Sequence, residues 1–176
     1  MKVLKNFSQI ANQKQGIEIN FIELLKISSF FQGLSGSSIK ALEEIAIKKK
    51  LSKKQFLFNE GDDGHSMFLC AAGNIQVFKT SEDGRESVIK VLKPGEIFAE
   101  VVLFESSKYP ASAVALGPAE VYLFPKHQVT CLLEREDFRT DFIRMQMQKQ
   151  RYLVDQIKYL TSFDVEDRFF LFLKEQ

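Results

Sequence analysis

Few side chains in this sequence have types and spacings that could do chemistry. The two cysteines, Cys70 and Cys131, form no CxxC and no Cys-His spacing, so the chain alone builds no four-thiolate iron-sulfur or zinc site. The two histidines, His65 and His127, belong to no Ser-His-Asp arrangement, and no carboxylates pair as an acid and base. Asp62 and Asp63 sit in a glycine turn, but one such pair falls short of the six or more oxygens that calcium takes. Lys48, Lys49, Lys50, Lys53 and Lys54 could meet phosphates, although lysines on an exposed strand edge more often block pairing with another sheet. These residues favour binding over catalysis, and the protein is read as a non-enzyme.

Composition narrows the partners. The chain has 176 residues, enough for one domain or one domain with a short appendage. Lys and Arg number 24 against 23 Asp and Glu, a net charge of +1, which argues against nucleic acid covering the whole surface. No apolar run reaches the roughly 18 residues of a membrane span, and the start has no apolar stretch like that of a signal peptide. A cytoplasmic protein with reduced thiols and no membrane partner is expected. Trp is absent while Phe occurs 17 times, so the core should be rich in Phe.

The elements that must position any site follow from the texture of the chain. Residues 1–16 are polar and without a sustained period, a flexible N-terminal segment. From Ile17 to Ala46 apolar residues recur at helical spacing around a break at Gly33 to Gly36, which predicts two helices, with Ser37 or Ser38 capping the second. Between Lys48 and Phe124 short runs rich in Val, Ile and Phe alternate with turn residues. They predict strands at Lys50–Phe58, Ser66–Ala71, Asn74–Thr80, Glu86–Leu92, Ala111–Leu116 and Glu120–Phe124. Asp83-Gly84 is the strongest hairpin signal. Such strands suggest a barrel or sandwich. After Pro125 no Gly or Pro occurs and the spacing is helical. Ile143, Gln146, Gln150, Leu153, Ile157 and Leu160 take alternate a and d positions over about 2.5 heptads, with Met145, Met147 and Tyr152 widening the stripe.

This order resembles the cyclic nucleotide-binding domain, and more narrowly the effector domain of the bacterial CRP/FNR transcription regulators. The likeness is carried by PheAsnGluGlyAsp (Phe58 to Asp62), the stretch from Met67 to Phe78, AspGlyArgGlu (Asp83 to Glu86) and LeuLysProGlyGluIlePheAlaGlu (Leu92 to Glu100). It implies a mainly β protein: a double-stranded β-helix of jelly-roll type, a β-roll, with flanking helices and a long C-terminal dimerisation helix. The expected units are 1–16, a sensor roll with its N-terminal helices over 17–125, helices over 126–161, and a hinge with the first helix of a winged helix-turn-helix domain over 162–176. The expected partners are a second copy of the chain, meeting along Phe142, Ile143, Gln146, Gln150, Leu153, Ile157 and Leu160, a small-molecule effector, and DNA through a domain outside this sequence. The alternative is a cyclic nucleotide-binding module controlling an enzyme or channel.

The resemblance also implies an effector segment, read here as Gly95, Glu96, Phe98, Ala99, Glu100, Val101, Tyr109, Pro110, Ala111 and Ser112. In relatives that bind cyclic nucleotide, an acid takes the ribose hydroxyl and an Arg grips the phosphate with its planar fork. Glu100 matches the acid. The Arg position falls on Tyr109, Pro110 or Ala111, none of them cationic, and the turn glycine expected after Glu100 is Val102. Lys108 and Arg85 are the nearest basic residues in sequence. Cyclic AMP is therefore not the expected effector. The segment is similar to branches of the family that answer to redox state, nitric oxide or haem. Haem is a candidate cofactor, with His65, His127, Cys70, Cys131, Met67, Met145 and Met147 as the axial ligands available.

Overall fold

The protein is seen as a computed structural model that describes residues 21–28, 31, 33–105 and 107–162. The segment 1–16 lies outside these residues. So does the hinge expected at 162–176, apart from Ser162, which closes the last helix.

Helix α1 (Phe21–Ile27) and helix α2 (Gly36–Ile45) bury one face each. The cap of α2 is Ser35 rather than Ser37 or Ser38, its side-chain oxygen accepting the Ser38 amide at 3.3 Å. Eight strands follow: β1 (Ile47–Leu51), β2 (Phe56–Phe58), β3 (Ser66–Ala72), β4 (Ile75–Thr80), β5 (Glu86–Leu92), β6 (Ile97–Phe98), β7 (Ser112–Ala115) and β8 (Ala119–Pro125). They form two antiparallel four-stranded sheets, ordered β1-β8-β3-β6 and β2-β7-β4-β5. The Asp83-Gly84 hairpin joins β4 to β5 as expected, with Thr80 opposite Glu86.

Lys50 to Phe58, expected as one strand, is two. Lys54 takes a left-handed φ of 63° and Gln55 closes a turn onto Ser52, so the chain leaves the first sheet at Leu51 and enters the second at Phe56. The lysines of β1 lie on a sheet edge, where Lys48 and Lys50 pair with Glu120 of neighbouring β8 at 2.9 and 3.4 Å. That placement is what the edge-blocking reading requires.

Two cores result, and β3 serves both. Phe68 and Cys70 point between the sheets, with Phe58, Ile75, Phe98, Val102 and Val121. Met67 and Leu69 point the other way, with Phe21, Leu24, Leu25, Leu42 and Phe124. Side chains alternate across a strand, so a strand covered on both faces reads as a continuous apolar run. The outer core also receives Val129 of α3 (Lys126–Glu134) and Phe138, Phe142 and Met145 of α4 (Glu136–Ser162). The helices expected as a separate unit from residue 126 thus share a core with the roll and its N-terminal helices. No helix among the described residues is long and apolar enough to cross a membrane.

Candidate functional site

The segment opens with a tight turn over Lys93–Glu96. Pro94 precedes Gly95 at φ 89°, the backbone of a type II turn, which calls for glycine in its third place. The Gly95 amide donates to the Cys70 carbonyl at 2.8 Å, and the Ser28 hydroxyl at the end of α1 donates to the Gly95 carbonyl. The Glu96 carboxylate accepts the Lys93 amide at 2.7 Å and pairs with Lys90 at 2.8 Å, so it closes the turn.

After Phe98 the chain turns sharply at Ala99, whose φ of 59° is left-handed. For a residue with a Cβ this costs about 1–2 kcal/mol, and strain of this kind concentrates where function fixes the backbone. Its effect is to start the 3-10 helix Glu100–Leu103 immediately, which sets Glu100 at the edge of the roll and buries Val102.

Val102 stands where a turn glycine was expected, and the structure shows what receives it. A Cβ built on Gly64 would fall 2.7 Å from the Val102 Cβ, so the isopropyl group rests on bare backbone. The Gly64 amide also donates to the Ser107 carbonyl at 2.6 Å, which binds the two loops together.

Tyr109 and Ala111 are buried, Pro110 is exposed and Val101 is half-buried. The Tyr109 ring stacks on Phe58 with centroids 3.8 Å apart and joins Phe68 and Phe98. Its hydroxyl donates to the Ser66 carbonyl at 3.0 Å and accepts the Ser66 amide at 3.2 Å. Burial pushes this phenol up, against the opposing pull of its backbone hydrogen bonds. Ser112 is buried and accepts the Glu60 amide at 2.9 Å. Neither nearby cation turns inward. Lys108 binds the Gly61 carbonyl at 2.9 Å and lies 3.5 Å from Asp63, while Arg85 pairs with Asp83 at 2.8 Å on the hairpin tip.

Glu100 does have a cationic neighbour, one that sequence reading missed: the ammonium of Lys149, on α4, meets its carboxylate. Both side chains are largely buried, at 21% and 23% exposure. Nothing in the spacing of residues 100 and 149 signals this contact, which exists only because α4 returns across the roll.

Along α4, Ile143, Gln150, Leu153 and Ile157 are exposed and Gln146 is half-buried, while the side chain of Leu160 lies outside the described residues. Phe142 departs from this row. It is buried between Phe138 and Phe104, with ring centroids at 6.2 and 6.0 Å, so it faces the roll and is corrected out of the partner-facing set. Met145 is likewise buried in the outer core.

Among the described residues the candidate axial ligands are scattered, and Met147 is exposed on α4. Met67 and Met145 are core residues, and Cys70 is sealed between the sheets. Burial, helped by the charge of Glu96, pushes the Cys70 thiol up to about 12. Cys131 is a free thiol exposed on α3, so the two cysteines form no pair. His65 and His127 line one cleft of about 440 Å³ with Lys126 and Thr130. None of these four is a large apolar side chain of the kind that faces a porphyrin. Asp62 accepts the Asn59 amide at 2.7 Å, and no group of three or more metal-binding side chains gathers among the described residues.

A family profile described as "Cyclic nucleotide-binding domain" matches residues 48–136. The "Cyclic AMP receptor protein" of Thermus thermophilus is 28% identical over 111 residues, 63% of this chain and 51% of that protein. The "Anaerobic regulatory protein" of Bacillus subtilis is 31% identical over 97 residues, 54% of this chain and 41% of the other. The chain thus spans about half the length of these relatives. Among solved structures, the N-terminal domain of a transcriptional regulator from Streptomyces coelicolor superposes with a TM-score of 0.65 at 24% identity, covering 76% of this chain and 94% of that one.

Proposed function

The chain belongs to the cyclic nucleotide-binding domain family, and from that premise we propose that it is the effector-sensing and dimerising part of a CRP/FNR-like transcription regulator, not an enzyme, and that its effector is not cyclic AMP. The observation that carries the choice of ligand is the filling of the roll beside Glu100. A phosphate there needs bare backbone amides at close range and a guanidinium to neutralise it. This chain offers the Val102 side chain seated on Gly64 and the Tyr109 phenol stacked on Phe58. The ammonium beside Glu100, that of Lys149, is already paired with that carboxylate, and burying a phosphate monoanion against them without a further counter-charge costs several kcal/mol.

The regulator reading draws on the named relatives and on the exposed apolar row of α4, which suits a second copy of the same helix. In this reading the roll receives the effector, α4 carries the response, and DNA is met by a domain outside this sequence. Calorimetry with cyclic AMP and with cyclic GMP tests it. No binding is expected in the micromolar range. Micromolar binding of either, abolished in Glu100→Ala, overturns the reading of the ligand.

A further inference from the structure

A cleft at one end of the first sheet lies outside the segment that the function proposed above assigns to an effector. Strands β3 and β8 pair with Ser66 opposite Pro125, so the chain entering β3 and the chain leaving β8 run side by side. The Lys126 amide donates to the His65 carbonyl at 2.8 Å across this end. Helix α3 starts at once, and Lys126, His127 and Thr130 share a face of it, because residues three and four apart are neighbours on a helix. Strand ends and helix thus bring His65, Lys126, His127 and Thr130 to one cleft of about 440 Å³. Its lining among the described residues includes no carboxylate. His65, His127 and Thr130 are exposed, so a ligand enters from solvent.

The charge in this cleft is the informative feature. Lys149, half-buried on α4, has the Glu100 carboxylate for a partner. Lys40, Lys49, Lys53, Lys54 and Lys93 make no ion pair among the described residues, but all five are exposed and water solvates them. Lys126 is half-buried, and its ammonium meets no carboxylate among the described residues. Withdrawing a charge from water without a partner is costly, and an anion in the cleft removes that cost. Each imidazole beside it offers an N–H donor whether neutral or protonated, while the Thr130 hydroxyl already donates to the Lys126 carbonyl at 2.9 Å. A metal ion is the poorer occupant, since the ammonium repels it and two imidazoles leave its coordination incomplete. The cleft is also larger than a bare anion needs and falls within the roughly 300–1,000 Å³ of small-molecule sites. We propose that it binds the phosphate group of a small phosphorylated molecule, with Lys126 neutralising the charge and His65 and His127 donating to the oxygens. This site is separate from the roll's and does not depend on the role of Glu100.

The chain holds two histidines and both line the cleft, so their ring C–H resonances report on this site alone. The test follows them by NMR as inorganic phosphate, and separately glycerol 3-phosphate, is added in a phosphate-free buffer at constant pH and ionic strength. Both rings should shift together along one saturation curve with each ligand. Lys126→Met should weaken both ligands about tenfold, the scale of a hydrogen bond to a charged group, and Lys126→Arg should restore most of the affinity. Lys40→Met removes the same charge from the exposed side of α2 and should change nothing. An unchanged urea midpoint in each variant shows that a lost affinity is not a lost fold. Rings unmoved by about 10 mM of either ligand, ten times a millimolar dissociation constant, overturn the site. Equal weakening in Lys40→Met and Lys126→Met reduces it to overall charge and overturns it too. Binding of inorganic phosphate without the ester overturns the small phosphorylated molecule as its occupant. Ring shifts with Zn²⁺ and none with phosphate overturn the anion and make the two imidazoles a metal site.

Discussion

Residues 136–145 and residues 146–158 belong to one continuous helix, yet they live in opposite surroundings. In the first part Phe138, Phe142 and Met145 recur at helical spacing and are at most 4% exposed. In the second Met147, Leu153, Val154 and Ile157 recur just as regularly and are 46–61% exposed. Apolar periodicity therefore marks a stripe without saying what covers it. The stripes are also offset. Phe142 and Ile143 differ by one residue, about 100° of helix rotation, so the roll and any second helix meet α4 on different sides. The near part anchors the helix, and the far part is presented.

Phe138→Ala probes this contrast hardest. Phe138 is 1% exposed in the outer core, and truncating a buried Phe costs about 3–5 kcal/mol, read as a fall in the urea midpoint at unchanged slope. Ile157→Ala at low protein concentration should change folding by no more than about 0.5 kcal/mol. Equal losses would erase the distinction between anchor and presented end.

Asp141→Ala comes next, because it leaves the Ser35 amide and the Ser35 and Ser38 hydroxyls without their acceptor. A cost of about 2–3 kcal/mol is expected from groups left unsatisfied. Burial pushes the Asp141 carboxyl up, but the hydrogen bonds from Ser35 and Ser38 and the charge of Arg144 outweigh it and leave it lowered. A lowered folded-state value means that the contribution is fully present above the ordinary carboxylate value of about 3.9 and is lost as pH falls through the folded one. The stability gap between parent and Asp141→Asn should thus be flat near neutrality and close in acid. A gap that widened in acid would mean that the carboxylate opposes the anchor.

The roll was largely legible because its signals are local. Alternation marks β3 and β4, and Asp83-Gly84 marks the hairpin between β4 and β5. The break at Lys54 was illegible because a lysine in the left-handed region carries no sequence signature. At the site, the sequence alone says that no register near Tyr109 supplies a cation, but it does not say what stands there instead. Val102 against Gly64 and Glu100 against Lys149 are contacts between distant segments, chosen by packing and charge once the chain has folded. Phe142 shows the same limit within one helix. Its spacing fits either stripe, and only the presence of Phe104 and Phe138 beside it assigns the side.

Leu153→Glu with Ile157→Glu sharpens the contrast from the other end, with the smallest effect on folding and the largest on association. Both side chains are exposed, at 50% and 60%, so two carboxylates there cost the single chain little, within about 0.5 kcal/mol each. Across a pair of helices packed on this row, the same carboxylates would be desolvated and would face like charges, which a heptad interface does not tolerate. Light scattering coupled to size-exclusion chromatography should therefore find the parent as a dimer and the double variant as a monomer with an unchanged urea midpoint at matched low concentration. A parent that remains monomeric at high concentration removes the dimer. A variant that unfolds while still paired places these residues in the anchor and not in the presented end, because only a side chain already packed within its own chain can lose folding free energy without first losing a partner.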